Sequence, residues 1–499
     1  MLILVNSSCY EKKKQDKRSG SNDIPNFVLL MGDDHGWDEV GYNGHPHVKT
    51  PVLDEMASQG LRFDRFYSGH PSCSPTRGSY MTGRHPNRYG TFAPNWSIRP
   101  EEISIAHILS EAGYACGHYG KWHLGPVKGD SPTSPGAMGF QEWLSHDNFF
   151  ELDPVLSRNG ETPQKFEGES SQIIIDQAIK FIKKAVDNSQ PFFVVVWYGS
   201  PHEPYSGLPE DLALYDDLPA EYAEKTVGLT SNETGERVER PLRKVLRERY
   251  AEITAMDRSI GLMRNFLMEA ELRDNTLLWY CGDNGTPPSA ARTGMTLRGE
   301  KATMYEGGIR VPGVMEWPNR LRQSAVTQVI SVTSDILPTL CELAGAPLPT
   351  RPLDGISLVP VIDRTMQIRS HPVFFWSFEA NKVFNEESVP YIDPQLQEGT
   401  TPLIKMMDGK YTRSFRNYRY PGISESHFGG ARVMMDNQYK LIIDEQLSDP
   451  SNIELFDLNS DPSESKNLAT VNPDIVESMQ RQLYEWQQSV LNSLTGADY

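Results

Sequence analysis

Asn26–Gly36 reads NFVLLMGDDHG, a short apolar run closed by a glycine and followed at once by two adjacent acids. A run of this length without polar alternation is a strand covered on both faces, which happens where helices pack on either side of a parallel sheet. Phe192–Trp197 (FFVVVW) and Leu277–Cys281 (LLWYC) have the same form, each soon followed by Gly, Ser or Asp. Helix-period segments lie between them. Thr50 caps one, with Pro51 at its first position and Gly60 as its stop. A second spans Ser171–Val186, with Ile175, Ile179, Ile182 and Val186 on one face, and a third runs over about Leu242–Leu267. The alternation predicts an α/β fold, a large and mostly parallel mixed sheet flanked by helices.

After Pro360 the pattern changes. An irregular stretch over 368–430 gives way to a hairpin-like RVMMDNQYKLIID, then to ELFDLNSDPSE and a helix ending near Leu494. This predicts a smaller C-terminal α+β domain with an antiparallel sheet. The chain divides on this reading into a tail (1–24), a catalytic domain (25–365) and a C-terminal subdomain (366–499).

A chain of 499 residues is long enough for two cores, and 38% apolar with 23% charged residues is a globular composition. With 48 basic against 66 acidic residues the net charge is −18, which argues against nucleic acid as a partner. An anionic ligand would need a locally basic pocket. No apolar run reaches membrane-spanning length. The five cysteines (Cys9, Cys73, Cys116, Cys281, Cys341) contain no CxxC pair and suggest neither a disulfide framework nor a zinc site. The start, MLILVNSSC followed by a Lys-rich stretch, resembles the end of a bacterial lipoprotein signal with Cys9 as the lipidated residue. That implies a periplasmic or cell-surface protein; secretion, or a plain disordered tail, is the alternative.

In open parallel sheets, ligands gather beyond the carboxyl ends of the strands. Asp33 and Asp34 stand at one such end and Asp283 and Asn284 (GDNG) at another. Three carboxylates and an amide oxygen form an all-oxygen set suited to Ca²⁺ or Mg²⁺, although each pair alone reads equally as a turn or a cap. Cys73–Arg84, CSPTRGSYMTGR, adds a cysteine at the opening of a helix, where exposed N–H groups favour an anion, and Arg77 to steady oxygens there. An isolated cysteine is more often a buried, inert thiol.

Cys73, Pro75, Thr76, Arg77, Thr82, Gly83 and Arg84 match the signature of the type I, formylglycine-dependent sulfatases of the alkaline phosphatase superfamily, and the chain resembles their bacterial polysaccharide-degrading members. The resemblance continues through GKWHLG (Lys121, His123), SPHEPY (His202) and LRGEKATMYEGGIRVP (Lys301), with Glu306 and Arg310 holding that last loop together. Where the family more often has Gly and Asp, this chain has Asp38 and Glu39. The resemblance implies that Cys73 is oxidised to Cα-formylglycine (3-oxoalanine) by a formylglycine-generating or an anaerobic sulfatase-maturating enzyme. It further implies that Asp33, Asp34, Cys73, Asp283 and Asn284 hold Ca²⁺, with Mg²⁺ as the other choice. Hydrated formylglycine would attack sulfur, Arg77, Lys121, His123 and Lys301 would steady the site and the sulfate, and His202 would protonate the leaving sugar. His146, Asp147 and Asn148, with Arg413 and Arg416 from a basic cluster that also holds Lys405 and Arg419, are nominated to contact the sugar. The expected reaction is exo-acting hydrolysis of sulfate monoesters on a sulfated oligo- or polysaccharide. A phosphodiesterase or phosphonate monoester hydrolase of the same superfamily, and a non-catalytic glycan-binding protein with unmodified Cys73, are the alternatives.

Overall fold

The computed structural model describes the chain from Ile24 to Tyr499 except residues 232–233, 235, 291–292, 385–387, 403–411, 421 and 445–451. Cys9 and Lys405, and with Cys9 the lipoprotein reading, lie outside the described residues.

Ten strands form the main sheet: β1 (Asn26–Gly32), β2 (Leu61–Phe63), β3 (Ala115–Lys121), β4 (Glu142–His146), β5 (Val155–Arg158), β6 (Gln164–Lys165), β7 (Phe192–Trp197), β8 (Thr276–Gly282), β9 (Gly313–Glu316) and β10 (Ala325–Thr327). Their order is β10-β2-β9-β8-β1-β7-β3-β4-β5-β6. The central five, β8-β1-β7-β3-β4, are parallel, and antiparallel pairs begin outside them at β9 and β5. The three apolar runs of the sequence are adjacent in this centre.

Because side chains alternate across a strand, each run feeds two cores at once. Phe27, Leu29 and Met31 lie with Phe193, Val195, Trp197 and Trp279 under α2 (Cys73–Thr82), α3 (Ile105–Glu111) and α6 (Ile336–Ala344). Val28, Leu30, Val194, Val196 and Tyr280 lie under α1 (Pro51–Gln59), α4 (Ser170–Asp187) and α5 (Leu242–Glu269). The buried stripe of α4 is Ile174, Ile175, Ala178, Phe181, Ile182 and Ala185. The expected stripe is thus rotated: Val186 is 41% exposed and Ile179 only half-buried. The helix also begins earlier, because the Glu169 carboxylate accepts the N–H groups of Ser171 and Gln172 and caps it.

The C-terminal sheet has four antiparallel strands in sequential order, β11 (Val373–Trp376), β12 (Arg432–Met435), β13 (Tyr439–Ile443) and β14 (Ile453–Asp457). β11 lies inside the stretch that reads as irregular, where a single VFFW gives no alternation to detect. One face is covered by α7 (Pro473–Leu494) through Met479, Leu483 and Trp486. The other, with Phe375, Val433, Met435 and Ile442, packs on Tyr67, Ile309, Ile330 and Val332 of the larger part. At that seam Lys440 is fully buried, its Nζ 3.0 Å from Glu306 and 2.7 Å from Glu464. Glu464 in turn accepts the Glu306 N–H at 2.7 Å. Arg310 stands 3.6 Å from Glu306, so Lys440 is the nearer cation to the EGG turn.

Removing the cation would leave two carboxylates buried together. Lys440→Met is expected to lower the free energy of unfolding by about 3–5 kcal/mol, measured by urea denaturation.

Candidate active site

β1 and β8 run in parallel register to their ends, where Gly32 pairs with Gly282. The two acidic pairs therefore emerge side by side. Asp283 N–H donates to the Gly32 carbonyl at 3.0 Å and Asp34 N–H to the Asp283 carboxylate at 2.8 Å. Asp34 takes the left-handed conformation, φ 60°, which turns the chain sharply after Asp33. The approach is close enough that a Cβ on Gly282 would sit 2.2 Å from the His35 carbonyl oxygen.

α2 starts at Cys73 and every one of its residues is buried. Cys73 Sγ lies 3.4 Å from Asp33 Oδ1 and 3.8 Å from Asp34 Oδ1. One turn on, Arg77 donates to Asp283 Oδ2 at 2.8 Å and to the Lys121 carbonyl at 3.1 Å, with its guanidinium 5.1 Å over the Trp197 ring. Lys121, at the end of β3, places Nζ 2.6 Å from Asp33, and Lys301 places its Nζ 2.6 Å from Asp34. His202, in the loop after β7, has Nε2 3.7 Å from Asp34 and stacks on Phe149 at 4.8 Å. Asn284 donates to Asp34 at 2.8 Å. His123 is less direct: its Nε2 meets Asn95 Oδ1 at 3.1 Å, while its buried Nδ1 has no hydrogen-bond partner among the described residues.

Burial tends to raise Asp33, yet Lys121, His202, Arg77 and Lys301 hold it well below the usual carboxylate range. Asp283 goes the other way, pushed up to about 7 by burial and by the charge of Asp33. Burial drives His202 down to about 4 against the pull of Asp34 and Asp33. It also drives the Cys73 thiol well above its ordinary range, despite Lys121 and Lys301. Burial acts to lower Lys301, but the negative groups facing it, Asp34 first, more than offset this.

The residues suit a divalent cation. Asp33, Asp34, Cys73 and His202 offer ligand atoms all within 4.8 Å of one another, and Asn284 Oδ1 is buried without a hydrogen-bond partner among the described residues. Such an orphaned acceptor beside hard oxygen donors is what a Ca²⁺ or Mg²⁺ ligand looks like without its ion.

Three participants give no sequence signal. Arg249, in the middle of α5, is fully buried and donates to both oxygens of Glu39, to the Asp34 carbonyl at 2.7 Å and to the Pro201 carbonyl at 2.5 Å. It thereby ties the Asp34 turn to the His202 loop; in the sequence it is one charge among several on a long helix. Glu39, a departure from the family pattern, is its counterion. Asn95 and Phe149 orient the two histidines from loops without a motif.

The nominated sugar contacts separate. His146 Nε2 meets the Pro402 carbonyl at 3.3 Å, and its Nδ1 accepts the Asn148 N–H. Asp147 accepts the N–H groups of Val127, Thr400 and Thr401 at 2.6–2.8 Å, so its carboxylate is spent on holding loops. Asn148 donates to Asn95 Oδ1 at 3.2 Å, beside His123. Arg413 lies over Phe149, while Arg416 lies over Trp96.

Residues 25–346 match the sequence pattern of the Sulfatase family. N-acetylgalactosamine-6-sulfatase of Canis lupus familiaris is 29% identical over 400 residues, covering 72% of this chain and 69% of that protein. Arylsulfatase A of Homo sapiens is 31% identical over 367 residues, 70% of each chain. In fold, the crystal structure of Ps i-CgsB in complex with k-i-k-neocarrahexaose superposes with a TM-score of 0.72 at 22% identity, covering 95% of this chain and 94% of that one. That likeness extends over both sheets. Since the family pattern spans well over half of its length, this chain belongs to the sulfatase family and is a sulfuric ester hydrolase.

Proposed function

We propose that this sulfatase removes sulfate from a carbohydrate, as an exo-acting enzyme of sulfated-polysaccharide breakdown, through a Cα-formylglycine made from Cys73 by a separate maturating enzyme. The observation that carries this is the setting of Cys73: 1% exposed, in the first turn of α2, against two carboxylates and between two lysines. Burial disfavours a free thiolate here, which agrees with the converted residue rather than the thiol as the nucleophile. The sugar substrate is supported by relatives named N-acetylgalactosamine-6-sulfatase and by the k-i-k-neocarrahexaose in the Ps i-CgsB complex. The N-terminal tail is the ground for a periplasmic or cell-surface location.

The hydrated aldehyde would supply the attacking hydroxyl and the means of releasing sulfate, and a divalent cation, Ca²⁺ before Mg²⁺, held by Asp33, Asp34, Asp283, Asn284 and the modified residue would favour that hydroxyl's ionised form. The chain's own groups do the rest. Lys121 and Lys301 face the cluster from opposite carboxylates and bind sulfate oxygens, with Arg77 fixed beneath them. His202 donates Nδ1–H to the Glu203 carbonyl and turns Nε2 to the cluster side, where only the doubly protonated ring, favoured by Asp34 and Asp33, would carry the Nε2–H passed to the leaving sugar oxygen. His123, oriented by Asn95, accepts the proton lost when sulfate departs. Lys121, Lys301 and Arg77 suit a tetrahedral oxyanion, and the named relatives N-acetylgalactosamine-6-sulfatase and arylsulfatase A favour sulfate over a phosphodiester.

Intact mass of the Cys73 peptide is expected to show the aldehyde after expression with a maturating enzyme. Cys73→Ala should then lower kcat on 4-nitrophenyl sulfate by at least ~10⁴-fold; turnover by unconverted thiol would refute the assignment. Dialysis against EDTA should abolish activity and lower Tm. Restoring Ca²⁺ at a hundredfold excess over its Kd should return about 2.7 kcal/mol of stability, and Asn284→Ala should shrink that gain.

A further inference from the structure

We infer that residues 413–419 form an anion-binding track which carries the sugar chain away from the scissile ester, so that the natural substrate is an oligosaccharide bearing further sulfates or carboxylates along its length. This rests on the reading of the site as a carbohydrate sulfatase and names the substrate class it serves.

The segment is extended and firmly tied. Phe415 N–H donates to the Gln397 carbonyl at 2.8 Å, Arg416 exchanges backbone hydrogen bonds with Asn95 and Ser97, and Arg419 N–H donates to the Val389 carbonyl at 3.0 Å. Asn417 is buried and donates its amide to the Ser97 carbonyl at 2.8 Å. Three guanidinium groups result, each laid on a different aromatic ring: Arg413 5.6 Å from Phe149, Arg416 4.6 Å from Trp96 and Arg419 5.6 Å from Tyr391. Stacking holds a guanidinium plane in place, and in Arg416 and Arg419 it leaves edge N–H groups for a bidentate grip on a sulfate or carboxylate. Arg416 and Arg419 are exposed, and among the described residues the side-chain partner of Arg416 is the neutral amide of Asn381.

The track begins at the chemistry. Phe149, under Arg413, is the ring that stacks on His202, and Phe415 packs edge-on against His123 at 6.1 Å. Its far end opens on a surface cavity of 370 Å³ lined by Phe384, Val389, Arg419, Tyr420, Ile423 and His427. Phe384 also packs on Trp96, the ring under Arg416, which joins that arginine to the cavity. Successive arginines are three residues apart, a Cα spacing of at most ~10 Å, which suits a chain with an anion on every one or two sugars. In a protein of net charge −18 such a row attracts polyanions only locally.

The test uses the matured full chain. Wild type is assayed on 4-nitrophenyl sulfate and on sulfated hexasaccharides prepared from an algal galactan, a fucan, an ulvan and a glycosaminoglycan. The best hexasaccharide is then compared with its disaccharide carrying only the scissile sulfate. R416Q/R419Q is expected to raise KM for the hexasaccharide at least ~10-fold more than KM for the disaccharide. Equal shifts, or none, with wild type active would overturn the track alone; wild type inert on every ester would overturn the parent reading and the track together. Should the variant fail to fold, NaCl titration of wild type decides: KM for the hexasaccharide must climb more steeply than KM for the disaccharide, and parallel curves overturn the proposal.

Discussion

Everything at the head of the sheet depends on keeping three carboxylates buried within touching distance of one another. Asp33, Asp34 and Asp283 are fully buried, and like charges at such range repel by several kcal/mol even at an effective dielectric near 20. The fold compensates by delivering a cation to each: Lys121 from the end of β3, Lys301 from the loop that follows β8, and Arg77 from the first turns of α2. None of these can move far without leaving a carboxylate unpaired. The parallel register of β1 with β8 and the start of α2 at Cys73 therefore belong to one electrostatic arrangement rather than to three separate motifs.

A second layer of contacts keeps that arrangement in shape. Arg249 reaches from α5 to the Asp34 and Pro201 carbonyls, so the helix on one face of the sheet positions two loops at its end. Trp197, the last residue of β7, lies beneath the Arg77 guanidinium and also packs on Trp122 and Tyr80 in the core. The C-terminal sheet contributes through Lys440, whose ion pairs hold the EGG turn behind Lys301. Stability and chemistry are coupled here, since the groups that close the core also aim the side chains of the site.

The rim follows different rules. His146 and Asp147 look like sugar-binding residues, but their polar atoms hold the 400–402 segment against the end of β4, as the burial of both requires. The side chains that line the way out come from the irregular stretch before β12, which also lays Phe415 on His123. A sulfatase core that handles the ester thus sits beside a separate surface suited to the rest of the sugar.

Much of this was legible in the sequence because it is local. The apolar runs and the acids behind them follow from strand chemistry, α1 from its proline start and its glycine stop, and Cys73 and Arg77 from a short pattern that sets them one helix turn apart. The first N–H groups of α1, however, are accepted by Asp257 and not by the Thr50 hydroxyl. Lys121, His202, Asp283 and Lys301 could be named because they follow recognisable segments. Arg249, Asn95 and Phe149 could not, since a buried arginine, a loop asparagine and a loop phenylalanine become participants only when distant segments meet around them. The same holds for the rotated stripe of α4, which is set by the sheet it rests on, and for β11, which needs β12 before it is a strand. The sequence by itself determined the strand ends, the helix carrying Cys73 and the kind of chemistry they can perform. Only the tertiary structure decided which charges neutralise which, and which loops are held by polar groups that read in the sequence as substrate contacts, because those choices depend on contacts between residues far apart in the chain.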